Sequence, residues 1–154
     1  MTTVTVATVV AAPLEQVFEV FTDVEHSAGR VSNIRKIEML TVGGVRLGSR
    51  WLETRTVLGQ QDTAEMEITA FEQNRTYTIT HYKASARIDA VFLFAPVDGQ
   101  TRVQIEFMLE SHGLPPGALA PVRWAMASKV RDVIGQDLED LKAFIEQQRA
   151  EQAS

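Results

Sequence analysis

The sequence predicts an α+β fold: one strand, two short helices, about six further strands in hairpins, and one long C-terminal helix. Three observations carry this. Val4, Val6, Thr8 and Val10 alternate with Thr3, Thr5, Ala7 and Val9, the period of a half-buried strand. From about Ile34 to Glu110 short apolar runs are separated by turn signals. Beyond "HGLPPGALAP", apolar residues from Leu119 to Ile145 recur at three- and four-residue steps, the stripe of a helix of about eight turns.

In chain order, Pro13 suits the first position of a helix, where its missing N–H costs nothing. Leu14, Val17, Phe18 and Phe21 follow as one apolar stripe. Thr22 and Glu25 have the spacing of a capping box, which predicts a second short helix at "TDVE".

The hairpins predict their own registers. Asp98-Gly99 reads as a type I′ turn, both residues needing positive φ. It sets Phe94 opposite Val103, Phe92 opposite Ile105 and Ala90 opposite Phe107, all apolar pairs. A two-residue loop at Gln73-Asn74 sets Ala70 opposite Tyr77, Ile68 opposite Ile79 and Met66 opposite His81. A loop at Ala84-Ser85 sets Ile79 opposite Ala90 and His81 opposite Ile88. These hairpins agree on one inner face, and the long helix must lay its stripe against that face.

Composition narrows the function classes. A chain of 154 residues, 45% hydrophobic and 23% charged, fits one globular domain with a sizeable core, ending in a polar tail over about 147–154 that is expected to fray. With no cysteine there is no disulfide, thiolate metal site or cysteine nucleophile. The net charge of −5 argues against a phosphate-tracking surface, so no nucleic-acid partner is expected. No apolar run approaches the roughly 18 residues of a membrane span, and without a signal-peptide pattern a cytoplasmic location is expected. His26, His81 and His112 are too scattered for a metal triad, and neither GxGxxG nor a P-loop occurs, so no metal and no cofactor is expected. Arg123, Lys129 and Arg131 read as the solvated flank of the last helix. The oligomeric state stays open, a homodimer being one option.

The segments "AAPLEQVFEVFTDVEHSAG", "IRKIEML", "LGSRWLETRTVLG", "AEMEITAFEQNRTY", "DGQTRVQIEF" and "DLEDLKAFIE" resemble, in this order and spacing, the START/SRPBCC superfamily, and within it the polyketide cyclase/dehydrase-like branch. The resemblance spans about residues 3 to 147. It implies a helix-grip fold: a curved antiparallel sheet of about seven strands wrapped around the long helix, with an apolar cavity between them. It also implies lipids, sterols, polyketides or quinone-like molecules as ligands, and in some members ring cyclisation or dehydration. Many members carry an aromatic residue just after the second helix, where this chain reads "HSAGRVSNI". The branch has no universal catalytic motif, so the resemblance names no catalytic residue.

If the cavity lies between sheet and helix, inner-face polar residues are the candidates for chemistry. Neutral imidazole both donates and accepts, so His81 can orient a ligand carbonyl or move a proton; the alternative is a histidine at the sheet rim, wet or satisfied by a neighbour. With a two-residue loop at Gly59-Gln60, Glu53 faces Met66 and Trp51 faces Ile68, turning Trp51, Glu53 and Arg55 inward. Glu53 then lies two strands, about 10 Å, from His81. A three-residue loop instead buries Leu52, Thr54 and Leu58 and leaves Glu53 and Arg55 a solvated pair.

The candidate ligand-contacting residues are Trp51, Arg55, Met66, Tyr77, His81, Phe92, Phe107, Met126 and Val130, with Met108 adding apolar surface. His81 and Glu53 are the catalytic candidates. Gly135 costs about 1 kcal/mol within a helix, which favours a close helix–sheet contact over room for a ligand. The leading expectation is a binder of an apolar small molecule. The alternatives are a cyclase or dehydratase using His81, Glu53 and Tyr77, and a protein-interaction module that handles a lipid-like cargo.

Overall fold

The computed structural model describes residues 2–57, 59–83, 86–111 and 120–153; the side chains of Thr2, Val57, Ser111 and residues 120–126 lie outside the description. The elements are β1 (Thr2–Val10), α1 (Leu14–Thr22), a 3₁₀ helix (Val24–Gly29), β2 (Ile34–Met39), β3 (Arg50–Val57), β4 (Gln60–Glu72), β5 (Thr76–Lys83), β6 (Ala86–Val97), β7 (Gln100–Ser111) and α2 (Ala120–Ala153). All seven strands form one curved antiparallel sheet in the order β1-β7-β6-β5-β4-β3-β2. The two short helices therefore carry the chain from one edge strand to the other, and every later connection is a hairpin until β7 closes beside β1.

Pro13 stands one position earlier than expected. It caps α1 with extended backbone, its carbonyl accepting from Val17 N at 3.1 Å. The capping box does not form: Thr22 Oγ1 turns back to donate to Phe18 O at 2.8 Å, and the next segment winds as a 3₁₀ helix without a side-chain cap. Phe18 of the α1 stripe is buried edge-on against Phe71, Tyr77 and Phe94, with ring centroids 5.0–5.9 Å apart. That aromatic cluster closes one end of the sheet's concave side.

The Asp98-Gly99 turn has φ of 49° and 80°, and its three apolar pairs form as expected. So do Ile79–Ala90 and His81–Ile88; their loop, Ala84-Ser85, lies outside the described residues. Two hairpins differ in detail. The β4–β5 loop has three residues, Gln73 to Arg75, with Asn74 at φ 62°. Phe71, not Ala70, therefore faces Tyr77, and a bulge between Ile68 and Ala70 absorbs the extra residue and restores Ile68 opposite Ile79. In the β3–β4 hairpin the pairing slips by two: Trp51 faces Met66 and Glu53 faces Ala64. A slip of two keeps every side chain on its face, so Trp51 and Glu53 are buried as the inward reading requires.

α2 begins at Ala120 and continues as helix to Ala153, through the stretch expected to fray. Gln16 of α1 donates to Gln148 there at 3.0 Å. Ile134, Leu138 and Ile145 bury the α2 stripe, with Val130 and Leu141 half-buried beside them. Polar contacts fix the helix at its flanks: Glu146 accepts from Ala11 N, Lys142 donates to Val9 O, and Asp140 accepts from both Ser32 N and Ser32 Oγ. A Cβ at Gly135 would meet nothing within 4 Å, so the close helix–sheet contact expected there is absent.

Candidate functional site

Between the concave face of the sheet and α2 the structure leaves a cavity of about 470 Å³. Its walls are mostly apolar, with Ile34, Ile79, Ile88 and Ala90 from the strands and Val133 and Leu141 from the helix. Trp51, Arg55, Met66, Tyr77, His81, Phe92, Phe107 and Val130 all line it, and so does Glu53. The side chain of Met126 lies outside the described residues. Met108 does not reach the cavity, because strand alternation gives the inner face to Ile105 and Phe107.

A cluster of three charged side chains interrupts the apolar wall. Arg55 Nε donates to Glu53 Oε2 at 2.7 Å, while its two terminal nitrogens donate to Asp137 Oδ1 and Oδ2 at 3.1 and 2.7 Å. Trp51 Nε1 completes the cluster by donating to Glu53 Oε1 at 3.2 Å. The two-point fork is the geometry in which a guanidinium pairs best with a carboxylate. Burial works against the charge on Arg55, but Glu53 and Asp137 outweigh it and raise its pKa. Burial likewise raises the Asp137 carboxyl, with Arg55 pulling the other way. One cation thus serves two anions.

His81 stands on the same wall, its pKa lowered first by burial and also by Arg55 and Lys83, against the opposing pull of Glu53. A depressed histidine pKa favours the neutral ring near pH 7, able to donate from one nitrogen and accept at the other. Tyr77 is different. Burial, then Glu53, push its phenol well above its ordinary value, its hydroxyl donates to Phe21 O at 3.3 Å, and its ring stacks on Phe92 with centroids 4.5 Å apart. Its proton is thereby committed to the fold. Further along the wall Lys83 Nζ meets Asp62 Oδ2 at 2.7 Å, and Lys129 and Asp132 add one charge of each sign.

Asp137 is the site residue that the sequence reading missed. A signal was present: it lies three residues after Ile134 and four before Leu141, a carboxylate inside an apolar helix stripe. Lys129, read as solvated flank, also reaches the cavity wall. Among the described residues no group of three or more His, Asp or Glu could hold a metal ion, and no helix is long and apolar enough to cross a membrane.

Comparisons with known proteins agree with this architecture. The profile of the family described as polyketide cyclase / dehydrase and lipid transport matches residues 1–146. Among curated protein sequences none matches significantly. The ZhuI aromatase/cyclase from Streptomyces sp. R1128 superposes with a TM-score of 0.74 at 20% identity, over 94% of this chain and 93% of that one. A START superfamily protein from Mycobacterium smegmatis does so with a TM-score of 0.69 at 19% identity, over 99% of both chains. The protein TTHA0849 from Thermus thermophilus gives 0.77 at 15% identity, over 94% of this chain and 97% of that one. At such identities the superpositions speak for the shared helix-grip fold alone. With the curved sheet gripping α2 as in these structures, and the family profile covering almost the whole chain, this chain belongs to the polyketide cyclase/dehydrase and lipid transport family.

Proposed function

We propose that this protein binds an apolar small molecule, of lipid, polyketide or quinone-like type, in the cavity between the sheet and α2. The cavity itself carries the reading: about 470 Å³ of mostly apolar space with a few convergent polar groups, within the roughly 300–1,000 Å³ range of small-molecule sites. Trp51, Met66, Phe92, Phe107 and Val130 act as its walls, and Arg55 with its two carboxylates as the polar anchor. The test is thermal unfolding of the purified protein with a panel of polycyclic and long-chain ligands, alongside mass spectrometry of organic extracts. A saturating ligand raises Tm by several degrees, as expected from about 2.7 kcal/mol at a hundredfold excess over Kd. Ala90→Phe, which projects a ring into the cavity from the middle of β6, removes that rise while the fold persists. If no ligand shifts Tm and no extract contains a bound molecule, the reading is wrong.

A second reading, a cyclase or dehydratase, draws support from one observation: a neutral His81 shares the cavity with the Arg55 cluster. In that reading His81 relays a proton to or from a carbonyl-rich ring and Glu53 acts through Arg55. Conversion of a poly-β-keto substrate followed by chromatography separates the two. The enzyme reading expects His81→Ala to lose about 10²–10⁴ in rate, whereas the binder keeps most of its affinity in that variant.

A further inference from the structure

We propose that the cavity selects a ligand whose polar end is an uncharged hydroxyl, phenolic or alcoholic, and rejects one ending in an ionised carboxylate. This rests on the binding function proposed above and narrows it to a ligand class. Three cations on the wall, Arg55, Lys83 and Lys129, face four anions, Glu53, Asp62, Asp132 and Asp137. With His81 uncharged, the described lining therefore carries one net negative charge. The surplus sits in the least exposed group, where one guanidinium serves two carboxylates.

The hydrogen bonds still open there point the same way. Each of the four carboxylate oxygens accepts one bond: Glu53 Oε1 from Trp51, and Glu53 Oε2, Asp137 Oδ1 and Asp137 Oδ2 from Arg55. Each oxygen keeps a second lone pair, while Arg55 has spent three of its five N–H groups. A hydroxyl fits both kinds of vacancy, donating to a carboxylate oxygen and accepting from a remaining guanidinium N–H. An ionised carboxylate only accepts, and it adds charge of the sign already in surplus. It can reach the two remaining Arg55 N–H groups only beside Glu53 and Asp137, whose charges repel it at close range. Further out, Lys83 is paired with Asp62, and Lys129 and Asp132 bring one charge of each sign, so the described outer lining adds no net positive charge.

Three probes with one apolar body test this by fluorescence titration near pH 7: 1-hydroxypyrene, pyrene-1-carboxylate and 1-methylpyrene. The expected result is at least tenfold tighter binding of the hydroxyl probe than of the carboxylate, with the methyl probe between them. Equal affinity for all three overturns the selectivity and leaves the binding function standing, as does carboxylate binding as tight as hydroxyl binding. If none of the three binds, the hydroxyl selectivity falls, while the binding function stands or falls on the unfolding panel and the extracts described above. In Glu53→Gln the lining charge becomes zero while an acceptor stays in place, so the hydroxyl-to-carboxylate ratio falls several-fold. An unchanged ratio in a folded variant overturns the electrostatic origin.

Discussion

Arg55 on β3 and Asp137 on α2, 82 residues apart in the chain, meet in a two-point fork with N···O distances of 3.1 and 2.7 Å. The fork ties the helix to the sheet across the wall of the cavity, so it carries both stability and the polarity of the site.

Removing one partner of this fork exposes its worth. Asp137→Ala leaves Arg55 with Glu53 alone in a largely buried setting and is expected to cost about 2–4 kcal/mol. Lys83→Ala, in an exposed pair with Asp62, is expected to change stability by no more than about 0.5 kcal/mol. Urea unfolding of the two variants, read at constant m, checks the contrast.

The pH dependence of stability carries the signature of His81. Its folded pKa lies below the unfolded value of about 6.5. As the pH falls through that value, the unfolded chain takes up the proton first, so stability drops and levels off only below the folded pKa. His81→Gln removes this contribution. Urea midpoints measured between about pH 7.5 and 5.5 should slope less steeply in the variant than in the parent; equal slopes would place the acid sensitivity elsewhere.

Gly135 offers a gain. It sits within α2 with nothing within 4 Å of where a Cβ would stand, and its φ is not positive. Gly135→Ala should therefore stabilise the protein by about 0.5–1 kcal/mol through helix propensity alone. Differential scanning calorimetry should register this as a Tm higher by a few degrees.

The aromatic end of the core should be the most sensitive to truncation. Phe18 is buried and meets three rings edge-on, so Phe18→Ala loses the transfer energy of the ring and opens a hole among neighbours that cannot easily collapse. A loss of about 3–5 kcal/mol is expected from chemical denaturation.

Most of the architecture was legible because it depends on local periodicity. Alternation in β1, the Asp98-Gly99 turn and the apolar pairs of β6 and β7 are short-range patterns that point to one register. Where the sequence reading misjudged a loop, the period of two protected the conclusion. The β3–β4 pairing slipped by two residues, yet Trp51 and Glu53 still face inward. The β4–β5 loop gained a residue, and the bulge after Ile68 took it up. The Thr22–Glu25 spacing misled because Thr22 ends α1 instead of capping the next segment, its hydroxyl donating back to Phe18 O.

By itself, then, the sequence determined the order of elements, the inner face of β4 to β7 and the family. Each of these rests on stereochemistry within a few residues or on residue spacing along the chain. Only the tertiary structure decided that a cavity stays open beneath α2, that β3 turns Trp51 and Glu53 inward, that Asp137 turns toward Arg55, and that burial lowers the His81 pKa. Sheet curvature and the rotation of a helix about its own axis are set by the packing of the whole molecule. The partner of a buried charge therefore appears only once that packing is complete.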